Sequence, residues 1–494
     1  MIAKRILAAL LASLMLIPAM AACSDDTGAP ADTTAEETTP AETEPRETER
    51  HEIKDDLPAD LKFSGKNFTI YSGTQDVHDN FVMGKEEKEG DVVNDAVWER
   101  NINVQEQLDI TLKSDPYNTT YSTIAGAVST LILAGDSTYD IYLGAQFGMT
   151  SLVSQKMFIN AYDLKYINFD QPWWMNGFMD EVTLGKDSRY LLLSDFNTQA
   201  ISYIRANFFN KTLYEKIYGD PNELYQLTLD GKFTFDHMNK LIAGAYSDLN
   251  GDGKSDNDDQ LGMITYALAA AVDPFVYSSI KFTSRDKDGY VQLNMKTEEA
   301  VELAEKLCAF FHQTAVSSKA DGKQLDIFAK GNTLFLGNGT LSNASSTQLR
   351  DMESDFGVLP HPKGSETQES YYSLVHDTAL LTAIPVTAQD LDRIGAVLEA
   401  LSAESYRRVT PAWYDKALKL KYSRDDISVQ MIDMIKDTMS TDFIFAYNSS
   451  LNGIGQIYRT LVTGNNPNYM SVLDSKLPAA EAMLADLVKS FKGE

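Results

Sequence analysis

Residues 66–72 read KNFTIYS, in which apolar and polar side chains alternate as they do in a half-buried β-strand. Apolar residues then recur at near-helical spacing, at Val93, Val97, Val104 and Leu108. Asp109–Lys113 is predicted to be a second strand, Ile124–Ala134 a short helix and Tyr139–Leu143 a third strand. The order strand, helix, strand, helix, strand is typical of a parallel sheet covered by helices, so we expect an α/β fold.

The length and composition of the chain predict a globular protein with two lobes. The chain has 494 residues, of which 43% are hydrophobic and 10% are aromatic. About 430 residues follow the N-terminal region, which is more than one hydrophobic core usually supports. The formal net charge is −28. This charge argues against a nucleic-acid partner, because no basic face is available for phosphates, and it disfavours direct binding to anionic membranes.

The N-terminus is similar to a bacterial lipoprotein signal peptide over residues 1–22. Two basic residues precede an apolar run from residue 6 to residue 19, which is too short to span a membrane. The run ends in MAAC at residues 20–23, where small residues directly before a cysteine resemble a lipobox. We therefore expect Cys23 to be lipidated and to anchor the protein on the outer face of the cell membrane. Ordinary secretion with cleavage nearby is the alternative.

Residues 23–62 are predicted to form a disordered tether behind this anchor. From residue 24 to residue 60 the chain is rich in Thr, Glu, Pro, Asp and Ala and poor in large apolar residues. A stretch of this composition repels itself and stays extended, so it would hold a globular body away from the membrane.

The second cysteine, Cys308, is expected to be a buried free thiol. It lies on an apolar helical face with Leu303, Leu307 and Phe311. If Cys23 carries lipid, no disulfide can form, and stability must come from the burial of apolar side chains. Thr297 is expected to cap the amino end of that helix.

Residues 248–259 read DLNGDGKSDNDD and predict a calcium-binding loop. Oxygen-bearing side chains occupy EF-hand-like positions at Asp248, Asn250, Asp252, Asp256 and Asp259. Gly253 is at the sixth position, where the loop turns sharply, and Lys254 at the seventh would offer its backbone carbonyl. Asp259 departs from the pattern, because a bidentate Glu is usual at the twelfth position. A solvated acidic turn is the alternative, since Asn, Gly and Asp also form turns.

Five further stretches share the order and spacing of segments in a known protein family. They are NFFNK at 207–211 followed by Leu213 and Tyr214, LDGKFTFDHMNKL at 229–241, FAKGNTLFL at 328–336, FGVLPHP at 356–362, and Ala383–Pro385 with a helix through Ala403, Glu404 and Ser405. These stretches resemble the extracellular solute-binding lipoproteins of bacterial ABC importers, of the sugar-binding type. The resemblance covers most of residues 63–450, and its second stretch leads into the acidic loop as in family members.

The resemblance implies a two-lobed α/β fold of the periplasmic-binding-protein type, with hinge-crossing strands and a central cleft. Lobe 1 would comprise residues 63–199 and 375–410, and lobe 2 residues 200–374 and 411–494. The expected crossings are near Thr198–Arg205, Tyr372–Ala383 and Thr410. The resemblance also implies a monomer that captures a small solute, a carbohydrate or oligosaccharide, and delivers it to the permease subunits of an ABC importer. The calcium ion (Ca²⁺) would be structural and lie away from the cleft.

Several residues are candidates for ligand contact, because sugars are held by flat aromatic surfaces and by carboxylates or amides that reach their hydroxyl groups. Trp173 and Trp174 form an adjacent pair, so at most one of them would face a cleft, and the alternative is that both pack in the core. The remaining candidates follow the third strand or lie near the expected crossings: Tyr142, Gln146, Asp195, Tyr371, Tyr372, His376, Asp377, Trp413 and Tyr414. For each of these residues, packing within the fold is the alternative to ligand contact.

Two other classes of function also fit an acidic, aromatic-rich exported protein. A secreted carbohydrate-active enzyme needs two carboxylates at a fixed separation, and a chain this rich in acidic residues always offers such a pair. The sequence contains no GxSxG, HExxH or Walker motif, and its six histidines show no zinc-binding spacing. We therefore expect reversible binding without catalysis. A surface adhesion lipoprotein that binds glycans without transport would share the anchor and the tether.

Overall fold

The computed structural model describes residues 50–85, 87–88, 90–116, 119–414 and 426–492. The predicted signal peptide, the lipidation site at Cys23 and the tether up to residue 49 lie outside these residues. Within the described ranges, we find no helix with both the length and the apolar character needed to cross a membrane.

The described residues form thirteen strands with helices between them. The strands are β1 (Lys66–Tyr71), β2 (Ile110–Asp115), β3 (Ile141–Ala145), β4 (Arg205–Asn210), β5 (Leu261–Thr265), β6 (Thr283–Arg285), β7 (Val291–Leu293), β8 (Val316–Ser317), β9 (Thr333–Thr340), β10 (Phe356–Leu359), β11 (Ser373–Leu374), β12 (Leu380–Ala383) and β13 (Met439–Ser440). The α-helices of eight or more residues are Val92–Leu108, Ile124–Leu133, Gln146–Ser154, Lys211–Tyr218, Asn222–Leu229, Phe235–Ala245, Leu268–Ser279, Glu298–His312, Leu391–Glu404, Asp426–Asp437 and Tyr469–Lys492.

The stretch that predicts the fold forms the first sheet, whose strand order is β12-β3-β1-β2. β1 pairs in parallel with β2 and with β3, and β12 pairs antiparallel with β3. The alternating pattern of KNFTIYS is realised only in part, because Phe68 and Ile70 are buried on either side of the half-buried Thr69, but Tyr71 is buried as well. The predicted strand, helix, strand, helix, strand order is therefore confirmed.

The second sheet has the strand order β10-β4-β9-β5-β8 and is mixed. β4 is antiparallel to β9 and β10, and β5 is parallel to β9 and β8. The pairing of β4 with β9 shifts between Ala206 and Phe208, so one residue of β4 faces two residues of β9. Asn338 has a φ of 59° in this bulge, a left-handed conformation that is uncommon for a residue other than glycine.

The helix Glu298–His312 tests two predictions made from the sequence, the cap at Thr297 and the buried thiol of Cys308. The Thr297 side chain accepts a hydrogen bond from the Ala300 amide, as expected for an N-terminal cap. Cys308 is a buried free thiol, because it lies on the apolar face that packs into the core. Both predictions for this helix are confirmed.

The folded body includes residues that the sequence assigned to the tether. Ile53, Leu57 and Leu61 pack against the core. Asp55 accepts a hydrogen bond of 3.1 Å from Gln107 and lies 3.7 Å from a guanidinium nitrogen of Arg407. The described body therefore begins about ten residues before the predicted boundary, because three apolar residues spaced four apart anchor an otherwise acidic stretch.

The C-terminal part of the chain contacts segments that lie beside the first sheet and segments that lie beside the second. The Thr150 hydroxyl donates to the carbonyl of Ala446 at 2.7 Å, and the Tyr447 hydroxyl donates to the carbonyl of Val182 at 3.0 Å. The helix Ile457–Thr463 packs instead against Leu268–Ser279, beside the second sheet. Residues beyond 411 are predicted to belong to lobe 2 alone. They also contact the helix Gln146–Ser154, which follows β3, and Val182.

Candidate functional site

The two sheets meet at the edges where most of their strands end. The carboxyl ends of β1, β2 and β3 share one edge of the first sheet, and β12 begins at that same edge. In the second sheet, β4 begins where β5, β9 and β10 end. The His376 amide donates to the Tyr203 carbonyl at 3.1 Å, and the hydroxyls of Tyr121 and Tyr203 lie 3.4 Å apart. Ligands of open α/β sheets bind outside such strand ends, so we take this meeting of edges as the candidate site.

A group of charged side chains lies where the edges meet, and we call it the cleft-base cluster: Arg205, Asp273, His376, Asp377 and Arg459. Arg459 holds both carboxylates, with Nε 2.9 Å from Asp273 Oδ1 and Nη2 3.3 Å from Asp377 Oδ2. Asp377 Oδ1 lies 2.8 Å from Nδ1 of His376. The ring of His376 packs against the ring of Tyr203, with centroids 5.9 Å apart. Charge and hydrogen-bonding capacity are thus gathered on side chains from four separate segments, since His376 and Asp377 are neighbours in sequence.

Burial sets the protonation of this cluster. Burial raises the pKa of Asp273 to about 6, against the opposing hydrogen bond from Arg459. Burial would raise the pKa of Asp377 as well, but contact with His376 and the charges of Arg459 and Arg205 outweigh it and hold that pKa at about 2. Burial and the neighbouring arginines lower the pKa of His376, so its ring is neutral at pH 7.

A cavity of about 350 Å³ lies between elements of both sheets. Its lining residues are Asn80, Phe81, Lys85, Asp91, Val93, Asn94, Ser345 and Trp413. The 80–94 segment follows β1, whereas Ser345 follows β9 and Trp413 lies near the third expected crossing. Asn94 Oδ1 accepts the Lys85 amide at 2.8 Å, while its buried Nδ2 has no hydrogen-bond partner among the described residues. The residues that line the cavity thus include an indole, a phenyl ring and two side-chain amides, those of Asn80 and Asn94.

Arg100 fixes the wall of this cavity that carries Phe81. Its fully buried guanidinium donates to the Phe81 carbonyl at 3.1 Å and contacts the Val82 carbonyl. Asn101 donates to the carbonyls of Val82 and Met83 at 3.0 Å. These bonds satisfy carbonyls at the end of the π-helical turn His78–Val82, which is where a helix leaves acceptors unpaired.

A larger depression of about 690 Å³ involves neither sheet edge. It is lined by residues that follow β7, from Leu293 to Thr297, and by residues of the C-terminal helix, from Leu477 to Glu481. No titratable side chain with a shifted pKa faces it apart from Lys296, which is exposed and pairs with Asp474 at 2.9 Å. Its size alone therefore gives no reason to prefer it to the cleft.

The structure brings only some of the sequence-predicted ligand residues to the candidate site. His376 and Asp377 lie in the cleft-base cluster, and Trp413 lines the 350 Å³ cavity. Tyr414 contacts Trp413 edge-on, with ring centroids 5.5 Å apart. The predicted ligand residue Tyr372 contacts a lysine instead, since Lys281 Nζ lies 4.6 Å from the centroid of its ring.

The other predicted ligand residues pack within the fold. Trp173 and Trp174 are both buried and donate to the same carboxylate, that of Glu399, at 3.2 and 3.0 Å. This placement favours the core-packing alternative for the pair. Asp195 accepts the Thr410 hydroxyl at 2.5 Å and so ties two expected crossings together.

Three further candidates are also enclosed. Tyr142 is buried among Tyr71 and Tyr139, with ring centroids about 5 Å apart. Gln146 donates to the Thr441 hydroxyl at 3.3 Å. The Tyr371 hydroxyl donates to the Thr228 carbonyl at 3.0 Å and accepts the Phe233 amide at 3.2 Å. Their polar atoms serve neighbouring segments, apart from Tyr142 Oη and Gln146 Oε1, which have no partner among the described residues.

Sequence reasoning missed Arg205, Asp273 and Arg459. Arg205 carries a weak signal, because a charged residue begins the apolar strand directly after an expected crossing. Asp273 and Arg459 come from helices almost two hundred residues apart, and no local pattern marks either of them. Only the packing of Ile457–Thr463 on Leu268–Ser279 brings them together.

The acidic loop turns as its glycines predict. Gly251 and Gly253 have φ values of 74° and 73°, which glycine adopts without steric cost. Asp248 accepts the amides of Gly251 and Gly253 at 2.7 and 3.0 Å, and Asn250 accepts the Asp252 amide at 2.9 Å. Asp252 and Asp256 each accept the amide two residues later, at 2.8 and 2.9 Å.

The twelfth residue of the loop closes it onto the strand β5 that follows. Asp259 is 1% exposed and accepts the Leu249 amide at 3.1 Å and the Asp256 amide at 3.2 Å. Across the described parts of the chain, no three His, Cys, Asp or Glu side chains are grouped as metal ligands. The oxygen-rich side chains are of the kind that calcium prefers, but here backbone amides use them, as in the acidic-turn alternative.

The comparison with solved structures finds the same architecture in two binding proteins. A cyclo/maltodextrin-binding protein complexed with maltotetraose matches with a TM-score of 0.54 and 10% identity, over 87% of this chain and 98% of that chain. UgpB from Mycobacterium tuberculosis, in complex with glycerophosphocholine, matches with a TM-score of 0.54 and 12% identity, over 86% of this chain and 100% of that chain. No protein-family model matches the chain. No curated protein matches it in sequence.

These likenesses confirm the predicted fold class, a two-lobed α/β fold of the periplasmic-binding-protein type. At this level of identity they establish the fold alone. The two sheets are the cores of the two lobes, and the edges described above face each other across the cleft between the lobes.

Proposed function

We propose that this protein binds a small solute, a carbohydrate or oligosaccharide, in the cleft between its lobes and releases it unchanged. The observation that carries the proposal is the meeting of two sheet edges at the cleft-base cluster, in a fold shared with a maltodextrin-binding protein. The 350 Å³ cavity adds the aromatic rings of Trp413 and Phe81 and the side-chain amides of Asn80 and Asn94 among its lining residues. An apolar sugar face stacks on indole, and hydroxyl groups accept from amides.

Ligand capture would follow from contacts that only the closed protein can complete. A solute that touches both lobes stabilises the closed arrangement by its difference in affinity for the closed and open forms. Tyr121 and Tyr203, whose hydroxyls lie 3.4 Å apart, belong to the expected lobe 1 and the first crossing. If the lobes move about that hinge, the distance between these two hydroxyls should change.

A thermal-shift screen of the full chain tests ligand binding. Mono- and oligosaccharides are added at increasing concentration, and a ligand raises the melting temperature as RT ln(1 + [L]/Kd) increases. Trp413→Ala should reduce the shift at a given ligand concentration, whereas Trp98→Ala, on the helix Val92–Leu108 but outside the cavity lining, should leave it intact. Chromatography of the recovered sugar distinguishes binding from catalysis, because a shortened or rearranged sugar would contradict the proposal.

We further propose that Cys23 is lipidated and that the protein delivers its ligand to an ABC importer at the outer face of the membrane. The proposal rests on the MAAC sequence and on the family resemblance. Cys23→Ser should move the protein from the membrane fraction to the medium. Loss of sugar uptake on deletion of the gene, restored by the intact gene, supports delivery, whereas unchanged uptake with loss of glycan adhesion supports a surface adhesin instead.

The acidic loop is proposed to hold a structural calcium ion. Asp248, Asn250, Asp252, Asp256 and Asp259 would supply side-chain oxygens, and Lys254 its carbonyl. Saturating calcium at about 100 times its Kd would stabilise the protein by roughly 2.7 kcal/mol, so chelation should lower the melting temperature. Asp252→Asn should weaken that response, and Asp321→Asn, an exposed control, should not. If chelator leaves the melting temperature of the unaltered protein unchanged, the loop is only a turn.

A further inference from the structure

Arg205 is a buried cation that no carboxylate neutralises at close range. It is 7% exposed, and its Nη1 donates to the Asn338 carbonyl at 2.9 Å. Among the described residues it makes no other hydrogen bond and no ion pair within 4 Å. A buried charge is normally paired, because an unpaired one loses its hydration without a compensating interaction.

The nearest acidic groups are already committed to another cation. Asp273 and Asp377 are both bonded to Arg459, and Asp377 also contacts His376. They influence Arg205 only through space, where the like charge of Arg459 opposes them. The guanidinium of Arg205 therefore has unused N–H donors. It lies at the amino end of β4, at the edge that faces lobe 1.

The same edge carries buried polar atoms without partners. His361, which follows β10, is 0% exposed, and neither ring nitrogen has a hydrogen-bond partner among the described residues. The side-chain oxygens of Asn207 and Asn338 are likewise unpartnered, although the amide nitrogen of each donates to a backbone carbonyl. Asn338 sits in the bulge with a φ of 59°, a conformation that costs free energy and that clusters at ligand sites.

The unused donors and acceptors of these groups indicate which chemical groups a ligand would need. Arg205 lacks an oxyanion, and its planar fork suits a carboxylate that accepts two parallel hydrogen bonds. Asn207 and Asn338 lack donors, which sugar hydroxyl groups would supply. A singly charged carboxylate suits this position better than a dianionic phosphate, because Asp273 and Asp377 lie close by and would repel the additional charge.

We infer that the solute is an acidic sugar of the uronate type, whose carboxylate binds Arg205 and whose hydroxyl groups bond to Asn207 and Asn338. The inference deepens the proposed function and rests on it. It assigns the anchoring role to lobe 2, at the base of the cleft, and not to the aromatic cavity.

The test measures the affinity of the full chain for pairs of ligands that differ in one charge. Isothermal titration compares galacturonate, glucuronate and digalacturonate with the corresponding methyl esters, and with a phosphorylated hexose. The carboxylates should bind on the order of 10–100-fold more tightly than their esters, as expected for a charge-assisted bidentate pair. Arg205→Gln should remove this preference, and Arg205→Lys should keep part of it. Arg189→Gln, which alters a buried arginine paired with Asp180, should leave the preference intact.

The outcomes separate this inference from the proposed function. Equal affinity for acid and ester, an unchanged preference in Arg205→Gln, or tighter binding of the phosphorylated hexose would overturn the assignment while solute binding stands. Binding of neutral oligosaccharides alone would do the same. If no sugar of any charge binds, the proposed function fails and this inference fails with it. Since the ester comparison uses the unaltered protein, the test holds even if an Arg205 variant does not fold.

Discussion

Two pairs of neighbouring aromatic residues follow a proline in this chain, and all four residues are buried, but the surroundings of the two pairs differ. Trp173 and Trp174, after Pro172, are sealed in the first lobe, where both indoles donate to Glu399. Trp413 and Tyr414, after Pro411 and Ala412, lie near the third expected crossing, where Trp413 lines the 350 Å³ cavity. The pairs look alike in sequence, so the difference shows that the surroundings of an aromatic pair, and not its composition, decide which groups it contacts.

The largest effect is expected at the sealed pair. Trp173→Ala should reduce the free energy of unfolding by about 3–5 kcal/mol, because a fully buried indole is lost and a cavity remains. Urea denaturation followed by circular dichroism measures the loss. A variant as stable as the unaltered protein would show that the site collapses or that Trp173 is not enclosed, and the contrast between the two pairs would be broken.

Glu399 makes the sealed pair sensitive to pH. Burial raises its pKa to about 7 from 4.5, against the hydrogen bonds from Asn168 and the two indoles. Between pH 4.5 and 7 the folded state therefore holds a proton that the unfolded state releases, so stability falls as the pH rises through this window. At about 1.4 kcal/mol per pKa unit, the loss is roughly 3 kcal/mol.

Glu399→Gln should remove that component of the pH dependence. The difference in the free energy of unfolding between variant and unaltered protein is measured by denaturation at intervals from pH 4 to pH 8. An exposed change, Glu353→Gln, serves as the control and should leave the pH profile as it is. A Glu399→Gln profile parallel to that of the unaltered protein would mean that Glu399 ionises normally within its pair of indoles.

At the second pair, Trp413 and Tyr414, which we call the cavity pair, a substitution should affect ligand binding more than stability. Trp413→Ala should weaken ligand affinity on the order of 10–100-fold, since a stacking surface is lost, while it destabilises the protein less than Trp173→Ala. Trp413→Phe keeps a ring in place and should restore most of the affinity. Titration with whichever sugar the thermal screen identifies makes the measurement. Unaltered affinity in Trp413→Ala would place the sugar elsewhere in the cleft.

The sequence predicts local structure better than it predicts the partners of a side chain. The strand that begins at Lys66, the cap at Thr297 and the buried thiol of Cys308 are each marked by residues close to them in sequence, and all three are confirmed. The cleft-base cluster depends on Asp273 and Arg459, which meet only through helix packing across 186 residues. No periodicity in one chain encodes such a contact.

A second limit concerns boundaries and the ligand itself. The tether was predicted to reach residue 62, because composition over a wide window hides the regularly spaced Ile53, Leu57 and Leu61. The roles of Trp173 and Trp174 could not be assigned either, because the acceptor that encloses them, Glu399, lies more than two hundred residues away. Aromatic residues mark both cores and sugar sites, so only their surroundings distinguish the two uses.

The smallest effect separates the second member of each pair. Tyr414 is 8% exposed and its hydroxyl has no hydrogen-bond partner in the described part of the chain, whereas the indole nitrogen of Trp174 donates to Glu399 at 3.0 Å. Tyr414→Phe should therefore change the free energy of unfolding by less than about 0.5 kcal/mol, because no bond is lost and a buried polar atom is removed. Trp174→Phe should cost more, about 1–3 kcal/mol, since a buried carboxylate loses a donor. Parallel denaturation curves give both values. A Tyr414→Phe loss as large as that of Trp174→Phe would mean that the Tyr414 hydroxyl has a partner, and the cavity pair would then be held as firmly as the sealed one.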